Sequence, residues 1–438
     1  MRHDELGRYS FLMADPVDWF QPQDVAQTFA WLDNLSYPVQ HLDELPPFQG
    51  GIAGLLSYDF NRYVETIKNC AVDPTLPPVA FGIYDVVIAW DHLLDRCWIV
   101  SQGYPELDAS LRRARATERA NHFANLLLES KNQYAPSTRT TDTTESKIPN
   151  LSSNFERDDY ISTIQRAIQH IRSGDVFQVN IAQQLSCPIT AESLDLFEQM
   201  GRTNPATFAA YFDLGEAQII SASPERLVAC RDRQIESRPI KGTRRRTGFP
   251  EADLETADEL ASNAKDRSEN VMIVDLMRND LARICEPDSV IVSQFVKLES
   301  YASVIHLVSA VQGLLREEVT NSDIVRAVFP GGSITGAPKI RAMEIIAELE
   351  RGSRGAYCGS IGYFGFGGSI DLNILIRTVT AHDGKWTVPV GGGIVIDSDP
   401  VAEFEETLTK AHGMLRAIQQ VAGSRENDLL VDQLGEAT

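Results

Sequence analysis

Residues 131–154 read KNQYAPSTRTTDTTESKIPNLSSN, a run rich in Ser, Thr, Asn and Pro and nearly free of large apolar side chains. A segment of that composition has no face to bury, so it reads as an exposed linker. Whatever packs must therefore pack on either side of it. Residues 1–130 form an N-terminal module, 131–154 the linker, 155–420 a larger unit, and 421–438 a polar tail expected to fray. With 438 residues and 43% hydrophobic content, the chain can bury one large core or two moderate ones.

In the N-terminal module, 81–90 and 97–100 read as β segments around a turn-like 91–96, and 106–131 reads as a helix. The Gly50-Gly51 pair within PPFQGGIAGLLSYD signals a tight turn. Beyond the linker, Tyr160, Ile161, Ile164, Ala167, Ile168 and Ile171 recur at helical spacing and stop before Gly174, a good C-terminal cap. Short β runs follow at 209–212, 217–221, 226–230 and 234–238, and 255–284 reads as one long helix. The runs 361–366, 371–381 and 385–389 read as a meander, with Asp383-Gly384 as a type I′ turn. Helices mixed with mostly antiparallel strands define an α+β class.

Several function classes fall away on composition. Lys and Arg number 40 against 61 Asp and Glu, a formal charge of −21, which repels a phosphate backbone, so nucleic acid is not an expected partner. No apolar run approaches the roughly 20 residues that span a bilayer. The first ten residues lack a signal-peptide core, and the expected location is cytoplasmic. Six cysteines (Cys70, Cys97, Cys187, Cys230, Cys285, Cys358) without a Cys-x-x-Cys pair read as buried, reduced thiols rather than a zinc site or disulfide framework. The acidic excess also constrains any anionic substrate. Two like charges about 4 Å apart repel by roughly 4 kcal/mol at an effective dielectric near 20, so a metal cation or local Lys and Arg must offset them.

Two helices carry carboxylates at useful spacing. In one, Asp399 can cap and Pro400 suits the first helical position, with Glu403, Glu406 and Lys410 at offsets of three and seven beside an apolar stripe. In the other, Asp266 and Glu269 are three apart. Oxygen ligands without nearby His or Cys favour Mg²⁺ over zinc, although each helix alone also reads as a solvated face. The loop FPGGSITGAPK (329–339) leaves backbone N–H groups before a helix near Pro338, a place suited to a carboxylate or phosphate, but it is not a Walker A loop. The run Gly391-Gly392-Gly393 lets backbone approach a ligand. Lys241, in RPIKGT, and His306, in a run of Val, Ile and Leu, carry no role by spacing alone.

These motifs together resemble the chorismate-utilising enzyme family over about residues 155–420. The resemblance rests on GDVFQVN (174–180), SPE (223–225), PIKGT (239–243), KDRSEN (265–270), DLMRND (275–280), the glycine loop, GGGIV (391–395) and EFEET (403–407). The N-terminal module is similar to the domain that precedes the catalytic part in the anthranilate synthase component I type of member. The resemblance implies a chorismate-utilising fold with antiparallel core sheets. It implies that Glu269 and Glu406 hold Mg²⁺, supported by Asp266 and Glu403. It places Tyr357, Arg377, Lys410 and the backbone of Gly391, Gly392 and Gly393 at the chorismate carboxylates, with His306, Ser333 and Thr243 lining the pocket. Glu225 matches the general acid or base at the C4 hydroxyl.

Two positions select a branch within that resemblance. Members that add water carry Lys where this chain has Gln178, so ammonia is the expected nucleophile. Lys241 occupies the position that distinguishes amination at C4 from amination at C2. In the C4 branch the lysine attacks C2 as the C4 hydroxyl leaves, and ammonia then enters at C4. The product lies on the route to p-aminobenzoate and folate. No Gly-x-Cys-x-Gly nucleophile elbow is present, so a separate glutamine amidotransferase subunit is expected to supply ammonia. The competing readings are C2 amination with release of pyruvate, and chorismate binding without turnover.

Overall fold

The structure is a computed structural model that describes residues 6–22, 26–35, 37, 39, 41–68, 70–130, 148, 150–300 and 304–422. Most of the expected linker (131–147 and 149) and the polar tail from Gly423 lie outside the described residues. Among the described residues the strands form sheets of ten, seven and three, paired antiparallel in every register, and the helices pack around them in an α+β arrangement.

The ten-stranded sheet draws on both sides of the polar run. Gly51–Leu56 pairs along its length with Ser360–Gly365, from Gly51 opposite Gly365 to Leu56 opposite Ser360. Its other edge pairs with Val79–Tyr84. One apolar core accordingly includes Phe29, Leu32, Phe60 and Phe81 together with Ile273, Met277, Phe329 and Leu372. The Gly50-Gly51 pair leads into this strand rather than forming an isolated turn. A Cβ on Gly51 would lie 2.3 Å from the Phe364 carbonyl oxygen, so glycine permits the close strand approach.

The seven-stranded sheet centres on Gln178–Pro188, paired with Lys385–Ile394 from Val179 opposite Ile394 to Pro188 opposite Lys385. Two short crossovers of four residues each carry the chain from one large sheet directly into the other. Ala217–Ser221 lies in the seven-stranded sheet and Arg226–Arg231 in the ten-stranded one, joined by 222–225. Ile370–Asn373 and Thr378–His382 are split in the same way by 374–377. The two crossovers lie side by side: the Ile374 amide donates to the Glu225 carbonyl at 3.0 Å, and the Ser223 hydroxyl donates to the Ile374 carbonyl at 2.6 Å.

These crossovers correct the expected meander. Residues 371–381 are two strands in different sheets, and Arg377 at φ +54° sits where the chain changes sheet. A period-2 apolar pattern continues across such a break, which hides it from sequence. The same reason applies at 81–90, which divides at Asp85 into Val79–Tyr84 and Val86–Asp91. The expected long helix 255–284 is two, Pro250–Ser262 and Ala264–Ala282. Asn263 (ψ 112°) ends the first and caps the second, its side chain accepting from the Asp266 amide. The expected turn at Asp383-Gly384 has both φ angles positive, at 48° and 70°, as type I′ geometry requires.

The glycine loop is fixed by a buried ion pair. Arg354 and Glu350, 2% and 7% exposed, meet at 2.6 Å. The guanidinium also donates to the Ile334 carbonyl and the Asn180 carbonyl, each at 2.9 Å, while Glu350 accepts from the Ala182 amide at 2.8 Å. Loop, strand and the helix Lys339–Leu349 are thus tied at one point. Removing one partner leaves a buried charge uncompensated, at a cost of roughly 3–5 kcal/mol. Arg354→Ala is expected to lower the unfolding free energy by about that amount in urea titrations. An unchanged midpoint and slope would contradict this role.

Candidate active site

A cavity of about 670 Å³ opens at the paired crossovers, a size suited to a small organic ligand. It is lined by Glu225 and Arg377 from the crossovers, Lys241 and His306 from the ten-stranded sheet, and Gly391 and Gly393 from the seven-stranded sheet. Ser333, Tyr357, Asp266, Glu269, Glu406 and Lys410 complete the part anticipated from sequence.

Lys241 reaches the cavity because of a bulge. Lys241 pairs with Leu307 and Thr243 with His306, leaving Gly242 as the extra residue at φ +76°. A Cβ there would lie 2.7 Å from Leu260 Cδ1 and 3.1 Å from Asp266 Cγ, so the glycine also lets the acidic helix pack close. Lys241 Nζ donates to the Ser333 carbonyl at 3.4 Å. Thr243 belongs to this strand, and its side chain lies outside the described residues.

Burial alters the proton affinity of Glu225 and His306 in opposite directions. Glu225 is 4% exposed, and burial pushes its carboxyl above the usual range against the opposing pull of the Ser333 hydroxyl and Lys241 ammonium. Its Oε1 has no partner within hydrogen-bond limits. His306 is lowered to about 4, first by burial and then by the Arg377 charge, so its imidazole is neutral at physiological pH.

Arg377 donates to the Lys410 carbonyl at 3.0 Å, and Lys410 Nζ donates to the Gly391 carbonyl at 2.9 Å. Lys410 also meets Glu406 at 2.7 Å, and Arg244 meets Asp266 at 3.2 Å. Asp266, Glu269 and Glu406 line the same cavity from two helices, so the donor set there is oxygen-only and suits a hard dication. Among the described residues no three Asp, Glu, His or Cys side chains are gathered into a ready metal cluster. In this arrangement Arg244 and Lys410 stand beside two of the carboxylates.

Apart from Thr243, whose side chain is not described, three anticipated residues do not line the cavity. Gln178 is fully buried behind Gly393, where a Cβ would come within 2.6 Å of its Nε2. Glu403 is buried and accepts from the Ser398 hydroxyl at 2.6 Å. Gly392 faces the acidic helix, its would-be Cβ 3.1 Å from Glu403 Oε2 and 3.9 Å from Glu406 Oε1. The glycines of the 329–339 loop permit close packing: a Cβ on Gly332 would lie 2.3 Å from Leu276 Cδ2, and one on Gly336, at φ +138°, 2.1 Å from the Gln178 carbonyl oxygen. The loop contributes Ser333 and Ile334 to the cavity lining. Asn180, Asn204, Arg244 and Asn263 also line the cavity without having been singled out from sequence, although Asn180 ends the GDVFQVN motif. All six cysteines are free; Cys70 is half-buried and Cys97 exposed, against the expectation that all are buried. Among the described residues no helix is long and apolar enough to cross a membrane.

The family described as chorismate binding enzyme matches residues 6–416, and the chain belongs to it. Aminodeoxychorismate synthase component 1 of Escherichia coli (strain K12) is 41% identical over 390 residues, covering 89% of this chain and 81% of that protein. Anthranilate synthase component 1 of Streptomyces coelicolor is 38% identical over 424 residues, covering 95% and 81%. The crystal structure of anthranilate synthase component I from Streptococcus pneumoniae TIGR4 superposes with a TM-score of 0.79 at 32% identity, covering 94% of this chain and 93% of that one. The chorismate-utilising fold is therefore that of this chain.

Opposite stability signs are expected for the two titrating groups. His306 binds its proton more weakly folded than unfolded, so its contribution is present above pH 6.5 and is lost as pH falls toward 4, by up to about 1.4 kcal/mol per pH unit. His306→Gln should flatten that part of a stability-versus-pH curve. Glu225 binds its proton more tightly folded, so ionising it opposes folding as pH rises. Glu225→Gln should therefore raise the unfolding midpoint at neutral pH while turnover falls. A lowered midpoint would argue against the buried, raised carboxyl.

Proposed function

We propose that the chain is an aminodeoxychorismate synthase component I, which aminates chorismate at C4 with ammonia to give 4-amino-4-deoxychorismate. The observation that carries this reading is Lys241, held by the Gly242 bulge in the same cavity as the buried Glu225. A nucleophile and a proton donor then meet one substrate ring from a single pocket.

Lys241 attacks C2 after its ammonium proton has passed to solvent, the two ring double bonds shift, and the C4–O bond breaks. Glu225 gives its proton to the departing hydroxyl, which leaves as water. Ammonia next attacks C4, the double bonds shift back, and the C2–N bond to Lys241 breaks. The proton released from nitrogen restores Glu225. The sum is chorismate plus ammonia giving aminated product plus water. Arg377, Tyr357 and Lys410 orient the carboxylates, with Gly391 and Gly393 allowing backbone approach. Neutral His306 contributes a hydrogen-bonding group without adding charge. Glu269 and Glu406 hold Mg²⁺ in this reading, supported by Asp266 and Glu403; when bound, the ion neutralises a substrate carboxylate.

The relatives' designation as component 1 supports a second subunit, and a glutamine amidotransferase is the partner proposed, acting in the cytoplasm on the route to p-aminobenzoate and folate. The test is product identification after incubation with chorismate, Mg²⁺ and an ammonium salt. C4-aminated product without pyruvate is expected, whereas anthranilate with pyruvate would sink the reading. Lys241→Ala should reduce C4 amination on the order of 100-fold while chorismate affinity changes little.

A further inference from the structure

Among the described residues, Asn180 is a cavity-lining side chain whose amide the mechanism above leaves unused. It is 7% exposed, lines the cavity, and its Oδ1 has no hydrogen-bond partner in the protein. Its backbone is held on both sides: the amide donates to the Thr335 carbonyl at 2.8 Å, and the carbonyl accepts from Arg354 at 2.9 Å. The Cα of Asn180 is therefore fixed at the cavity wall by the same contacts that anchor the glycine loop. A buried amide oxygen left unpaired is unfavourable by roughly 1–3 kcal/mol, so its retention at the cavity wall points to a ligand group with hydrogen to donate.

The surroundings narrow that group. Gln178, two residues earlier on the same face of Gln178–Pro188, is fully buried with both amide atoms unpartnered, and Gly393 pairs opposite Asn180. The side chains of Gln178 and Asn180 are both neutral amides. Substrate carboxylates need donors and positive charge, which Arg377 and Lys410 supply elsewhere in the cavity. Glu225 and Ser333 line the same cavity as Asn180, and the loop's 3₁₀ turn (Gly332–Ile334) ends at Thr335, whose carbonyl accepts from the Asn180 amide at 2.8 Å. The unclaimed reactant is the nitrogen nucleophile. An amide oxygen can accept N–H from ammonia without removing a proton, leaving the lone pair free to attack, whereas water held by the same acceptor gains no base.

We propose that Asn180 holds the incoming ammonia, with Gln178 fixing the wall behind it. This rests on the C4 amination reading, so wild-type product is identified first; no aminated product would remove that reading and this one together. With that established, steady-state rates are measured at fixed pH with ammonium chloride and chorismate varied separately. Asn180→Ala should raise the KM for ammonium chloride about tenfold, leaving the KM for chorismate within about twofold. An unchanged ammonium KM, or a chorismate KM rising in step, would overturn the assignment. Asn180→Asp keeps the volume and an acceptor oxygen, and covers the case in which the alanine variant does not fold. Its ammonium KM should stay within about threefold of wild type, and a tenfold rise there would equally overturn it.

Discussion

Arg354 carries a full positive charge at a point where 2% of its side chain reaches solvent. Such a charge persists only because each direction around it is answered. Glu350 pairs with it, the Ile334 and Asn180 carbonyls accept from it, and the Tyr58 ring lies 4.8 Å from the guanidinium carbon. These contacts join the glycine loop, the central strand of the seven-stranded sheet, a helix and the N-terminal module. The walls of the cavity are consequently set against one buried charge rather than against solvent.

That fixed frame allows the chemistry to sit where the chain changes sheets. Glu225 and Arg377 occupy the two crossovers, and Lys241 sits beside a bulge. Irregular backbone at these points aims side chains into the space between sheets, which regular strands would not do. Charge follows the same logic. A chain of formal charge −21 gathers Lys241, Arg244, Arg377 and Lys410 around one cavity, opposed there by Glu225, Asp266, Glu269 and Glu406. The acidic excess thus lies elsewhere, and an anionic ligand meets a locally balanced site.

Much of this was legible in the sequence. The α+β class and the capped helix at Pro400–Val421 follow from spacing, and the family resemblance implied a part of the cavity lining that includes Glu225, Lys241, Arg377 and Lys410. What stayed hidden has physical causes. Alternation of apolar residues cannot tell a strand from two strands in different sheets, so the breaks at Asp85 and Arg377 were missed. Asn263 reads equally as a helical residue or a cap until its ψ angle is known. Gln178 sits in a binding motif yet lies behind Gly393, because a glycine's missing side chain is filled from the neighbouring strand. Asn180 was passed over because an unpaired amide oxygen is a property of burial, which no local pattern encodes.

The central claim is that Lys241 becomes covalently attached to the substrate. It is tested most directly by mixing the protein with chorismate and Mg²⁺ in the absence of ammonia, quenching, and mapping the chain by mass spectrometry. The account predicts a peptide carrying the mass of chorismate less one water on Lys241, discharged when ammonium is added before the quench. Wild-type amination with no modified Lys241 at any quench time would contradict it.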